Sequence, residues 1–398
     1  MSNFPKIAVA NYTVTTALGH GVRANLAKLL QGQTGLAPCI FKDASDIGTY
    51  AGEVEHVDEV KLPSATSTFD CRNNRLAALA IDQDNFRTAV QDRIHRYGQH
   101  RVGVMIGTST SGTGETERAY RHAFSNDGRL PSDFHYPHTQ NIFSISDFVS
   151  SILGTSGLCM AVSTACSSSA KVFASAARGL NAGIFDAVVV GGVDSLCLTT
   201  LFGFRSLQLT SPDICRPCDI DRDGISIGEA AGFALLERNC DDARSFLVGY
   251  GESSDAHHMS SPHPEGKGAL LAMSAALEKA YMSPNEIGYI NLHGTGTRAN
   301  DSSECNAISN LFGTKVACSS TKGFTGHTLG ACGIVESVFS MLAIENGFLP
   351  ENLNLRRIDG DISANIVTKT SLNTLQFAMT NAFGFGGTNC SLIFGGLT

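Results

Sequence analysis

Cys166 stands in the run A165-C166-S167-S168, where an apolar segment gives way to small side chains. Residues 158–165 (LCMAVSTA) read as a buried strand, and 167–182 (SSSAKVFASAARGLNA), rich in Ala and Ser, read as a helix. A cysteine at such a junction has its sulfur near the unpaired N–H groups of a helix start, where the positive end of the dipole favours thiolate over thiol. That is a setting for a nucleophile. The chain's 12 cysteines supply the plainer alternative, a small buried hydrophobe.

Two histidines strengthen the chemical reading. His293 follows the apolar run Y289-I-N-L292 and opens H-G-T-G-T. His327 lies in T321-K-G-F-T-G-H-T-L-G330, after a second strand-like run, V316-A-C-S-S320. Gly and Thr around both permit close backbone approach to a ligand. Lys322 precedes His327 in the same motif and is read as ordering that ring and the local charge. Glu336, on the helical stretch 330–347, could neutralise the lysine, because an unpaired buried charge is costly.

These motifs carry a resemblance. T-A-C-S-S-S-A, H-G-T-G-T, T-K-G-F-T-G-H-T-L-G-A-C-G and N-A-F-G-F-G-G-T-N, in that order, resemble the β-ketoacyl-acyl-carrier-protein synthases, the condensing enzymes of fatty acid and polyketide synthesis. The likeness runs from T-A-L-G-H-G-V, through L-L-Q-G-Q-T-G, to C390-S-L-I-F. It implies that Cys166 accepts an acyl group from a thioester, and that His293 and His327 give hydrogen bonds to the enolate left when malonyl thioester loses carbon dioxide. It places oxyanion donors at the backbone N–H of Cys166 and Phe385, with Phe385 also a gate between its flanking glycines. Thr295 and Thr297 match positions that hold a pantetheine arm, and Phe383 falls on the substrate pocket. Arg205 matches a carrier-contacting arginine; Arg72 and Arg75 are weaker candidates.

The chain departs from the usual elongating pattern. Ile225 stands where the family has phenylalanine in P217-C-D-I-D-R-D-G-I-S-I-G-E-A, and Ala230 follows Glu229 in place of glycine. Thr110 takes the position of an aliphatic residue at the bottom of the acyl pocket, with Glu115 and Glu117 close behind. A saturated tail gains less from such a lining. The expectation is a short, unsaturated or partly polar acyl chain, as in synthases that build aryl polyenes.

Around these residues, alternating strand and helix patterns with 41 glycines and 42% apolar residues indicate a large α/β protein. Polarity peaks between two apolar strands across E237-R-N-C-D-D-A-R-S245, a soft seam, and the resemblance implies a thiolase-like five-layered αβαβα fold of two similar halves, 1–240 carrying the cysteine and 241–398 carrying both histidines. No apolar segment approaches the roughly 20 residues that span a bilayer, and M1-S-N-F-P-K-I-A-V-A lacks the layout of a secretory signal. Cysteines without framework spacing suggest a reducing cytoplasm.

A net charge of −8 argues against nucleic acid as a partner. The expected partners are acyl carrier protein, malonyl and acyl thioesters, and a second subunit, identical or related. No cofactor is implied. C215-R-P-C218 is a lone CxxC, and His257, His258 and His263 lie in a segment that relatives carry without metal, so no metal site is expected. Two rivals remain. A thiolase would need a second catalytic cysteine, for which Cys390 is available. A chain-length-determining partner subunit would usually lack the cysteine.

Overall fold

The computed structural model describes residues 6–238, 240 and 243–396. The start of the N-terminal segment and part of the expected seam, at 239, 241 and 242, lie outside the described residues.

Among the described residues, strands join in one 12-stranded sheet, whose continuous path divides into two arms while Gly19–His20 pairs beside it with the end of Ile7–Thr16. In the first, Cys159–Val162, Val102–Gly107 and Ala187–Asp194 run parallel, then Ala230–Glu237 and Ile7–Thr16 follow antiparallel. In the second, Asn365–Ile366, Ala317–Ser319, Tyr289–Asn291 and Phe377–Gly384 run parallel, then Thr388–Gly396 and Ser245–Ser254 follow antiparallel. A short antiparallel pairing of Ile7–Val9 with Ser245–Leu247 links the arms.

Two helices, Ser168–Asn181 and Cys332–Asn346, pack on each other between the arms, and each touches strands of both. Helices Arg72–Ile81, Phe86–Tyr97 and Ser144–Leu153 cover the outer face of the first arm; Lys267–Ala280 and Arg298–Phe312 cover that of the second. The result is the five-layered αβαβα order. The central helices approach so closely that a Cβ on Gly333 would lie 2.4 Å from the backbone nitrogen of Ala170. Only glycine fits there.

Being enclosed by its neighbours, Cys332–Asn346 has buried residues on every face, among them the charged Glu336, the pattern of a core helix. This corrects one expectation. Leu329–Asn346 is long and apolar enough, by length and composition, to cross a bilayer, yet 89% of it is buried inside the fold. A second correction concerns the segment before the nucleophile. Its strand, Cys159–Val162, is half-exposed rather than buried, because it forms the free end of the first arm.

Candidate active site

Cys166 is delivered by the turn between the edge strand and the central helix. Ala165 takes a left-handed φ of +51°, which for a residue with a side chain is strained and must be held by its surroundings. The hold comes from Ser168, whose Oγ accepts from the Thr164 N–H at 2.9 Å and donates to the Ala165 carbonyl at 2.6 Å. The Cys332 thiol adds a bond to the Cys166 carbonyl at 3.1 Å.

Cys166 is 6% exposed, and its Sγ lies 3.1 Å from His327 Nε2. Burial pushes the thiol up to about 11; Lys322 and the backbone N–H groups of Phe385 and Cys166 oppose this without overcoming it. Desolvation therefore outweighs these contacts, and the group is a thiol at neutral pH rather than the thiolate expected from its place at a helix start. The helix itself begins only at Ser168.

His293 follows strand Tyr289–Asn291 after Leu292 and enters a turn in which Gly296 has φ +83°. A carboxylate fixes its backbone. Glu304 accepts the N–H of His293 at 2.8 Å, that of Gly294 at 2.9 Å, and a bond from Asn381 Nδ2 at 3.0 Å. Helix Arg298–Phe312 carries Glu304 and is capped by Thr297 Oγ1. Burial raises the Glu304 carboxyl to about 7.

Lys322 Nζ lies 3.4 Å from His293 Nδ1 and is ion-paired with Glu336. The side chain expected to order His327 thus contacts the other histidine, and His327 feels only its charge. Burial first, then Lys322, holds both imidazoles well below the usual histidine range, so both are neutral at pH 7. Their rings stand edge to face, centroids 5.3 Å apart.

Cys166, His293 and His327 face one cavity, and Thr295, Thr297, Ile225, Phe383 and Phe385 lie on its wall. Phe385 packs against Phe204 at 5.8 Å, in a loop where Gly386 and Gly387 have φ of +83° and +74°. This loop is strapped to segment 255–263. Gly386 N–H donates to the Met259 carbonyl at 2.7 Å, Asp255 N–H to the Gly387 carbonyl at 2.8 Å, and Asn389 Nδ2 to Asp255 Oδ1 at 2.8 Å. Arg205 is exposed at the end of helix Leu198–Ser206, next to Phe204 of the cavity wall.

Other sequence expectations meet different surroundings. Thr110 is not on this cavity wall: its N–H and hydroxyl both bond Asp194 Oδ1 at 2.8 Å. Arg72 cannot meet a carrier from the surface, being buried with its guanidinium on the fully buried Glu229. Arg75 is spent on Asp70 at 2.6 Å. Glu115 pairs with Arg118, and Glu117 accepts the first N–H groups of helix Leu198–Ser206. Cys215 donates to the Lys322 carbonyl while Cys218 sits beside Cys305, so the CxxC thiols take separate partners. His258 lies on the cavity wall, and His257 packs on His263 at 5.0 Å. Cys390 is buried in strand Thr388–Gly396, away from the cavity.

Sequence reasoning passed over Glu304, Asp194, Asp255 and Cys332. Asp194 ends strand Ala187–Asp194 and gathers the loop 108–110 onto one carboxyl oxygen. An acid closing the run V-V-V-G-G-V was the available signal.

Comparison with known proteins gives the family. Residues 5–242 match the N-terminal domain of Beta-ketoacyl synthase and 244–356 its C-terminal domain. The chain is 31% identical to 3-oxoacyl-[acyl-carrier-protein] synthase 2 of Vibrio cholerae, covering 98% of each, and 32% identical to the mitochondrial 3-oxoacyl-[acyl-carrier-protein] synthase of Arabidopsis thaliana, covering 98% of this chain and 93% of that one. Among solved structures it is similar to a chain of the complex of the ketosynthase ApeO with its chain length factor ApeC from Xenorhabdus doucetiae, with TM-score 0.91, 38% identity and all of both chains covered. The ishigamide ketosynthase/chain length factor follows with TM-score 0.90 and 25% identity, covering 99% of this chain and 100% of that one. With its thiolase-like fold, the chain belongs to the β-ketoacyl synthase family and is a condensing acyltransferase.

Proposed function

We propose that Cys166 carries the acyl group in a decarboxylative Claisen condensation with malonyl-acyl-carrier protein, yielding 3-oxoacyl-acyl-carrier protein. The observation that carries this reading is the 3.1 Å contact between Cys166 Sγ and His327 Nε2, beneath the N–H groups of Phe385 and Cys166. A thiol near 11 needs a base, and a neutral imidazole in contact is one. His327 takes the thiol proton as sulfur attacks the acyl thioester and returns it to the departing carrier thiol. The tetrahedral oxygen accepts from the two backbone N–H groups.

A lysine ammonium has only protons to give, so Lys322 directs the lone pair of His293 Nδ1 toward itself and leaves a proton on Nε2. That N–H faces the cavity and stabilises the enolate formed when the malonyl group loses carbon dioxide. The enolate carbon then attacks the Cys166 thioester, the new carbon–carbon bond forms, and sulfur leaves. Thr295 and Thr297 hold the pantetheine arm, and Ile225 and Phe383 border the chain it carries. The division at 240/241 belongs to the same reading, the nucleophile on one half and both histidines on the other.

For partners we infer an acyl carrier protein docking near Arg205 and a related subunit in a dimer, because the similar solved structure at 38% identity is a ketosynthase with its chain length factor. The same likeness, with Ile225 on the cavity wall, supports conjugated polyene acyl chains over long saturated ones. Competition between saturated and conjugated acyl-carrier proteins of matched length tests this, with and without a co-expressed related subunit. Faster transfer of the saturated chain in both settings refutes the polyene assignment.

A further inference from the structure

Cys166, His293 and His327 each present one donor atom, all within 4.8 Å of one another and all buried. One thiol and two imidazoles are the ligand chemistry of zinc and its softer relatives, and three protein donors with one open position describe an accessible zinc site. The open position here faces the cavity. Zn–S near 2.3 Å and Zn–N near 2.0–2.1 Å set tetrahedral donor separations of about 3.3–3.6 Å. The Cys166–His327 pair is already at 3.1 Å, so an ion needs small side-chain shifts rather than a new backbone.

One feature opposes coordination. Lys322 Nζ lies 3.4 Å from His293 Nδ1 and is itself held by Glu336. An ammonium offers donors only, so it claims the Nδ1 lone pair and puts the proton on the nitrogen an ion would need. It also sets a positive charge beside the ion, partly offset by Glu336. At His327, Nδ1 is buried with no partner in the described structure, so the carbonyl or carboxylate that usually backs a zinc-bound imidazole is missing there.

We propose that Cys166, His293 and His327 form a latent soft-metal site that Lys322 keeps from filling. Wild-type enzyme then binds zinc weakly, reversibly and only when Cys166 is free of an acyl group. Removing the lysine charge lets His293 switch tautomer and coordinate. This inference rests on side-chain geometry and does not require the polyene reading or a particular acyl substrate.

The test titrates Co2+ and Zn2+ into purified wild type, Lys322→Met, and Lys322→Met combined with Cys166→Ala. The readouts are the thiolate-to-cobalt absorption band and metal bound per chain after gel filtration. Lys322→Met should bind one equivalent about 10–100-fold more tightly than wild type, the usual scale for residues that orient a metal ligand. The band should vanish with Cys166→Ala. Lys322→Met strands the Glu336 carboxylate, so Lys322→Met/Glu336→Gln is run beside it and keeps the test sound if the single variant does not fold. Equal affinity in wild type and both lysine variants overturns the proposal. So does a cobalt band that survives Cys166→Ala, which would place the ion on other cysteines.

Discussion

The two sides of the active site are held in different ways. The cysteine side is held largely by backbone: a left-handed Ala165, a serine stitching the turn together, and a glycine that lets the two central helices touch. The His293 side is held by buried charge: Glu304 on the backbone of the turn, and Lys322 with Glu336 behind the ring. A side held by shape should fail when volume changes. A side held by charge should fail when protonation changes.

The largest effects should separate the two histidines. His293→Ala should slow malonyl decarboxylation about 100–1,000-fold, the scale for losing one oxyanion donor, while Cys166 still becomes acylated. His327→Ala should slow acylation itself, by about 100–10,000-fold, the range for general-base loss. Single-turnover acylation and carbon dioxide release, measured separately, check this; equal losses in both steps for both variants would erase the division of labour.

Next comes volume on the cysteine side. Gly333→Ala forces a Cβ to 2.4 Å from Ala170 N and should destabilise the fold by about 1–3 kcal/mol, read by urea unfolding at fixed pH. The loss should be the same at pH 5 and pH 8, because no titrating group is altered.

The charge-held side predicts the converse. Burial raises Glu304 from its ordinary 4.5 to about 7, so the folded state binds a proton that the unfolded state has released in that window. The contribution is therefore lost as pH rises from 4.5 to about 7 and is constant above it. Glu304→Gln should flatten that part of the stability curve. It should also lower activity, because an amide offers one acceptor oxygen to the N–H groups of His293 and Gly294, which now bond separate carboxylate oxygens. An unchanged pH slope in the variant would remove Glu304 from the account.

The smallest effect falls on the gate. Asp255→Ala removes the bond from Asn389 and loosens the strap on the Phe385 loop, which should cost about 0.5–1.5 kcal/mol in loop ordering. Acylation should slow less than tenfold, with faster release of bound acyl groups to water.

The same contrast explains what the sequence discloses. Cys166, His293 and His327 are legible because each sits in a local pattern, a strand end followed by Gly, Thr or Ser. The helix Ser168–Asn181 is legible for the same reason, its small side chains reflecting close packing. Partnerships across the chain are not. Glu304 meets Asn381 from 77 positions away, and Lys322 meets His293 from 29, so the nearer His327 looked the better partner. Thr110 reads as pocket lining because nothing local reveals that Asp194, 84 residues on, claims its hydroxyl. Arg72 reads as surface because its partner Glu229 is more remote still, at 157 residues. Helix Cys332–Asn346 has no exposed side set apart by polar residues, since its faces are buried all round, Glu336 included.

In the proposed mechanism Cys166 takes the acyl group with His327 as its base. Intact-mass spectrometry of wild type, Cys166→Ala and His327→Ala mixed with acyl-carrier protein tests it most directly. A full acyl mass gain is expected on wild type, none on Cys166→Ala, and a slow gain on His327→Ala that accelerates as pH approaches the thiol value near 11. Acylation of Cys166→Ala, or a His327→Ala rate equal to wild type at neutral pH, would contradict it.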